Sequence, residues 1–241
     1  ATKYPYRDWL KQNSSYVESN LVQSEGLGLK KISTKKYTLA TKIFSLFLEE
    51  RTSVIKVLGI SAQEGTGSMG DDTALAVLSK QNRQIYDYFR QQFSQVTNPP
   101  IDSLREQSVM SLETCYGPEL NIFEPSAEHA KRLVTYSPIL SYKKLDWILK
   151  NKTFKVKTFD LEYGEDSSIS DAIDRLILDV SDAIDEGVTI IHLNEKLPSK
   201  NKLSLNALMA TGALHQALIK QRKRTSANII VSTGSARDTH Q

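Results

Sequence analysis

The sequence predicts an α/β fold, and three observations within residues 151–241 carry that prediction. Lys155-Val-Lys-Thr-Phe-Asp-Leu-Glu162 alternates in the manner of a half-buried strand. Val188-Thr-Ile-Ile-His-Leu193 and Ala227-Asn-Ile-Ile-Val231 are short, β-branched apolar runs of the kind a fully covered strand shows. Between these three segments lie two stretches of helical periodicity, so the order reads β-α-β-α-β. Such crossovers make parallel sheets with right-handed connections.

Each boundary has a local cause. Ser168 is placed to cap a helix whose apolar stripe is Ile173, Leu176, Ile177, Val180 and Ile184, and Gly187 is placed to end it. A second helix is expected from Leu205 to Lys220. It closes on the basic run Lys220-Gln-Arg222-Lys223-Arg224, where cations complement the negative end of the helix dipole.

The upstream part reads less regularly. Residues 1–60 are expected to form a helical N-terminal segment: Tyr4-Pro-Tyr-Arg-Asp-Trp-Leu10 opens a short helix, a polar lysine-rich stretch follows, and Leu39, Ile43, Leu46 and Phe47 recur at helical spacing. Residues 61–150 form a loop and helix region. From Arg83 to Val96, the residues Ile85, Tyr88, Phe89, Gln92, Phe93 and Val96 predict one aromatic-rich helix face, which reads as core packing. Asn98-Pro-Pro-Ile-Asp102 must break that helix, since proline donates no backbone bond and restricts the residue before it. Asp102 is then well placed to cap a further helix through Leu112, and Gly117-Pro118 is expected to end that segment.

Composition excludes several classes. With 31 basic and 28 acidic residues, the charge is too even to point to nucleic acid. Cys115 is the only cysteine, so neither an internal disulfide nor a thiolate metal cluster is possible within the chain, and a reducing compartment is expected. No apolar run reaches the ~18 residues a membrane helix needs. The chain starts at Ala1 without a methionine and stops just after a predicted strand, so a piece of a longer protein is expected.

The stretch Glu64-Gly-Thr-Gly-Ser-Met-Gly-Asp-Asp-Thr73 contains G-x-G-x-x-G at Gly65, Gly67 and Gly70. A dinucleotide turn needs a strand ending against the first glycine. Val54 to Ile60 could supply one, but Ser61-Ala-Gln-Glu64 intervenes. Glu64, Asp71 and Asp72 would also face the pyrophosphate, each like-charge pair costing on the order of 1–3 kcal/mol. Adjacent carboxylates attract Mg²⁺ or Ca²⁺, yet consecutive side chains diverge on a regular backbone and the alternate acids of a calcium loop are missing. His129, His192, His215 and His240 show no zinc-helix spacing, and His192 reads as a satisfied core residue within a strand. No catalytic constellation emerges from the residues alone.

Further blocks occur in a recognisable order. After Gly67-Ser-Met-Gly-Asp-Asp-Thr73 come Leu75-Ala-Val-Leu-Ser79, Tyr86-Asp-Tyr-Phe-Arg-Gln-Gln-Phe93, Gln95-Val-Thr-Asn-Pro-Pro-Ile-Asp102 and Leu104-Arg-Glu106. Val109-Met-Ser-Leu112, Gly117-Pro-Glu119, Ser137-Pro-Ile-Leu140 and Ser235-Ala-Arg-Asp238 complete the series. The chain thereby resembles the central domain of the glutamate synthase large subunit along nearly its whole length, most specifically from Gly67 to Leu112. The resemblance implies parallel βα units in a degenerate or partial (βα)8-barrel-like domain that binds no flavin. It implies a parent enzyme in which an amidotransferase domain releases ammonia from glutamine. An FMN domain then combines the ammonia with 2-oxoglutarate and reduces the imine to glutamate.

The same resemblance implies an iron-sulfur cluster and FMN elsewhere in the parent chain, NADPH or ferredoxin as electron source, a small FAD- and NADPH-dependent subunit, and a cytoplasmic setting. No residue of this domain is expected to be catalytic, to hold a cofactor or to bind metal. Ser68, Met69, Asp71, Asp72, Thr73, Gln95, Thr97, Asn98, Pro99 and Arg105 are the candidates for lining the ammonia route or fixing contacts between domains. Ala74 and Ser103 depart from prolines usual in the family, Leu120 from a glycine, and Gln241 from a second histidine. Each lost proline frees the unfolded chain by about 0.4–1 kcal/mol without touching a proposed role. The competing readings are a free-standing magnesium-dependent enzyme using Asp71 and Asp72, and a binding module that kept the fold alone.

Overall fold

A computed structural model describes residues 3–20, 31–63, 65, 77–78, 83–89, 110–238 and 241. In chain order the first elements are α1 (Tyr6–Asn13), β1 (Ser15–Tyr16), α2 (Val17–Asn20), α3 (Thr34–Ile43) and α4 (Leu48–Glu50). A π-helical turn, Arg51–Ile55, runs on into α5 (Lys56–Ser61). Then come β2 (Thr114–Tyr116), β3 (Leu133–Thr135), α6 (Tyr142–Leu149), β4 (Val156–Asp160), β5 (Glu162–Gly164) and α7 (Ile169–Asp185). The last are β6 (Ile190–Asn194), β7 (Lys202–Ser204), α8 (Ala207–Lys220) and β8 (Asn228–Ser232). Contacts divide the chain into two compact units, Ala1–Lys30 with Asp102–Ser232, and Lys31–Ile101 with Thr233–Gln241.

The first unit is built on the predicted βαβαβ segment. β4, β6 and β8 form a parallel sheet in the order β4-β6-β8, with Thr158 opposite His192 and Asn194 opposite Ser232. The Ser168 hydroxyl accepts from Asp171 N at 3.0 Å and starts α7, while Gly187 at φ +87° takes the left-handed turn after it. Asn206 caps α8 by accepting from Leu208 N at 3.0 Å. One sheet face carries Phe159, Ile191, Leu193 and Ile229 against Leu176, Val180 and Ile184 of α7 and Ala210, Leu214 and Leu218 of α8. The opposite face carries Val156, Ile190 and Ile230 against Val17, Tyr116, Leu133 and Ile148. β6, between the other two strands, is covered on both faces, which is why Ile190–Leu193 reads as a near-continuous apolar run, whereas β4 alternates.

The fold is α/β with a parallel sheet, and the described strands do not close into a barrel. The expected strand 155–162 is two strands: β4 ends at Asp160, and β5 leaves to pair antiparallel with β7. Two- and three-residue strands make a second sheet, β1-β3-β2, that the sequence did not announce. Its loop after β2 is held to the main sheet by Gly117 N, which donates to Asn228 Oδ1 at 2.7 Å. Gly117 sits at φ +145°, and a Cβ there would lie 3.1 Å from Arg132 Cδ and from the Lys131 carbonyl.

In the second unit, Ser33 caps α3, and the chain turns at Ser45, φ +46°, into the α4–α5 stretch. Residues 54–60 are therefore helical, and a dinucleotide fingerprint has no strand to follow. Gly65 explains the first glycine differently: a Cβ would stand 2.7 Å from the Ser53 carbonyl, so the chain passes that helix too closely for a side chain. The helix expected from Arg83 is, over the described residues, a 3₁₀ turn at Ile85–Tyr88 with Phe89 already extended. Gln84 and Asp87 cap each other across that short turn, stabilising a tight start. The helix expected from Asp102 to Leu112 lies outside the described residues except at its end, where Met110–Leu112 are not helical.

Candidate functional site

Ser68, Met69, Asp71, Asp72, Thr73, Gln95, Thr97, Asn98, Pro99 and Arg105 all lie outside the described residues. Among the described residues, no three His, Cys, Asp or Glu side chains stand together as a metal site. The polar constellation that the structure does assemble lies at the carboxyl end of the parallel sheet, where open α/β sheets place their ligands.

Three residues of one sheet face reach across neighbouring strands there. His192 on β6 is buried; its Nδ1 lies 3.0 Å from Thr158 Oγ1 on β4 and its Nε2 2.8 Å from Ser232 Oγ on β8. One residue pair further along, Asp160 accepts from Asn194 Nδ2 at 2.8 Å and from Lys196 Nζ at 2.5 Å. Glu195, also buried, accepts from Ala207 N at 3.2 Å and so meets the positive end of α8. Its own amide donates to the Ser232 carbonyl at 2.8 Å.

The electrostatics follow from these contacts. Burial lowers the His192 pKa below its ordinary value, against the pull of the Asp160 charge, so the ring is neutral at pH 7. Lys196 and then Asn194 hold the Asp160 carboxyl below the usual range, against burial. Glu162 on β5 is depressed to about 2 by Lys202 Nζ at 2.9 Å and the Ser199 amide at 3.0 Å. A serine beside an imidazole invites comparison with a nucleophile and its base, but the other ring nitrogen meets the Thr158 hydroxyl. The carboxylate that would orient a catalytic imidazole is engaged with Lys196 instead. A phosphate-bearing cofactor at this edge would face Asp160 and Glu195, so these residues do not suit one.

A second constellation, in the other unit, joins the Ser235-Ala-Arg-Asp238 motif to the helices. The Arg237 guanidinium grips both Glu50 oxygens at 2.7 Å and also donates to the Phe44 carbonyl, which Gln84 Nε2 reaches as well. Gly234 lies against the Phe44 ring, where a Cβ would stand 2.6 Å from Cδ2. Burial pushes the Glu50 carboxyl above its ordinary range, Arg237 pulls it back, and Asp87 adds to the push. Sequence reading marked Arg237 within a family motif but not its partner, because Glu50 lies 187 residues away.

Comparison with known proteins completes the picture. The family profile described as glutamate synthase central domain matches residues 40–241. The ferredoxin-dependent glutamate synthase of Cyanidium caldarium is 37% identical over 251 residues, covering 100% of this chain and 16% of that protein. The glutamate synthase [NADPH] large chain of Bacillus subtilis is 32% identical, covering 100% and 16%. The glutamate synthase [NADH] of Saccharomyces cerevisiae is 33% identical, covering 97% and 11%. The chain thus spans no more than 16% of the length of these relatives.

Proposed function

The chain belongs to the glutamate synthase central domain family, and from that membership we propose that it is a non-catalytic domain joining the glutaminase and FMN synthase domains of one long polypeptide. The observation that carries the proposal is the match over residues 40–241 together with the small share of each relative that the chain covers. In this reading the parent enzyme converts glutamine and 2-oxoglutarate, with two electrons and two protons, into two molecules of glutamate. Ammonia passes inside the protein from one active site to the other. FMN and an iron-sulfur cluster belong to the rest of the parent chain, and this domain holds no cofactor of its own. Electrons come from NADPH through a small FAD-containing subunit, or alternatively from ferredoxin, and the enzyme works in the cytoplasm. Among the described residues no helix is long and apolar enough to cross a membrane.

The sheet corner supports a scaffold role, since His192, Asp160 and Glu195 are spent on holding strands and a helix end together. The parallel βα units are in keeping with a partial barrel related to the FMN domain. Segments Ser68–Thr73 and Gln95–Pro100 supply the wall of the ammonia route. Their hydroxyl and amide groups, Thr97 and Asn98 above all, offer hydrogen bonds to neutral NH₃ without a charge that would trap it as ammonium. Gly65 supports the structural reading of the glycine loop, because its lack of a side chain serves close backbone passage. An antibody against this chain tests the proposal on the native polypeptide. A band several times larger than 27.1 kDa is expected; a band at that mass would sink it.

A further inference from the structure

We infer that Arg237 is a positioning residue for the ammonia route: clamped on Glu50 and the Phe44 carbonyl, it fixes the helical platform on which both ends of the segment carrying Ser68–Thr73 are anchored. This rests on the reading that Ser68–Thr73 and Gln95–Pro100 form the wall of that route.

The platform is the stretch from Phe44 through α4 to Ser53 in the π-helical turn. Its first contact with the segment is Gly65, where a Cβ would stand 2.7 Å from the Ser53 carbonyl. Its second is Gln84, only 7% exposed, whose Nε2 donates to the Phe44 carbonyl. Ser68–Thr73 lie between these two anchors in sequence, and Gln95–Pro100 follow soon after the Gln84–Asp87 cap. A shift of the platform therefore moves both anchors.

Arg237 braces the platform at two points. Its Nη1 meets both Glu50 oxygens at 2.7 Å, and its Nη2 donates to the Phe44 carbonyl. That carbonyl ends α3, where the last C=O groups lack helical donors and the dipole favours a cation. The Arg237 side chain is 6% exposed. Its backbone is held as well: Arg237 N donates to Gln241 Oε1 at 2.7 Å, and Gly234 lies against the Phe44 ring. A buried ion pair is a poor device for stability alone, because apolar side chains of similar volume hold a core as well. A planar fork with fixed donor directions is a good device for position. Arg237 and Gln84 share one carbonyl, so the clamp and the second anchor form a single network.

The test uses the full-length synthase, with glutamates formed per glutamine consumed read beside ammonia-dependent synthesis. Coupled turnover gives two glutamates per glutamine, whereas escape of the ammonia gives one. R237K keeps the charge and loses the fork; G65A forces the chain off the Ser53 carbonyl at the other anchor. In each, the ratio is expected to fall below about 1.5 while ammonia-dependent synthesis stays within about twofold of wild type. G65A alone decides if R237K does not accumulate as folded enzyme. G117A, strained in the first unit, is the control and keeps a ratio of two, because lost stability lowers all rates together. R237K and G65A with ratios of two would overturn the inference, as would a fall in G117A equal to theirs. Thr97→Trp in the same assay separates the two levels. A ratio near one in Thr97→Trp beside two in R237K and G65A defeats this inference alone; two in all three defeats the route reading with it.

Discussion

Replacing Glu162 by Gln perturbs a carboxylate held by three donors beside the sheet corner. The side chain is only 9% exposed and accepts from Lys202 Nζ, the Ser199 amide and the Ser199 hydroxyl. These donors favour the charged form and bring the pKa from 4.5 to about 2. A displacement of that size corresponds to a ceiling of about 3 kcal/mol. Lys202 is 45% exposed, so water screens its share, and about 1–2 kcal/mol is expected at pH 7. A carboxyl depressed in the folded state contributes its full stability above the unfolded pKa and loses it as pH falls through the folded one. The contribution is therefore complete above pH 4.5 and fades towards pH 2. Urea unfolding of wild type and E162Q at pH 7, 4 and 2.5 measures this directly. The variant should be less stable at pH 7 by the stated amount, with the gap narrowing steadily below pH 4.5. An equal gap at all three pH values, or none at pH 7, would mean that Lys202 and Ser199 do not stabilise the charged carboxylate.

Three further substitutions probe other links. H192F removes the imidazole between Thr158 and Ser232 and should cost about 1–3 kcal/mol in chemical denaturation. Because burial lowers the histidine pKa, wild type also loses stability as pH falls below 6.5, and that part of the pH slope should be absent from the variant. G117A places a side chain at φ +145° against Arg132 and the Lys131 carbonyl; a loss of about 1–3 kcal/mol is expected in thermal melts, and a loss below about 0.5 kcal/mol would contradict the strain. R237K keeps the charge but not the fork that grips both Glu50 oxygens and the Phe44 carbonyl. A loss of about 1–3 kcal/mol is expected, together with a higher Glu50 pKa by NMR titration; an unchanged pKa would mean that Arg237 does not set it.

The C-terminal part of the fold was legible because βα units are local. Ser168, Gly187 and the apolar stripe of α7 announce one helix within about twenty residues of chain, and the branched runs on either side announce its strands. The β1-β3-β2 sheet was not legible: strands of two and three residues carry no period, and their partners are remote in sequence. The aromatic spacing from Ile85 to Val96 suggested a helix, yet over the described residues the Gln84–Asp87 cap and an extended Phe89 give a single tight turn. His192 was readable as a satisfied core residue, but its partners lie 34 and 40 residues away and follow only from the strand register. The residues proposed for the ammonia route, Thr97 and Asn98 among them, are legible only through the family resemblance, because no local spacing marks a conduit.

The number of glutamates formed per glutamine hydrolysed by the full-length synthase carrying Thr97→Trp tests the proposed coupling of two active sites most directly. Glutamine hydrolysis and ammonia-dependent synthesis are both expected to persist while glutamine-dependent synthesis falls at least about tenfold, an effect of about 1.4 kcal/mol on the coupled barrier. A variant that still forms two glutamates for every glutamine consumed would contradict it.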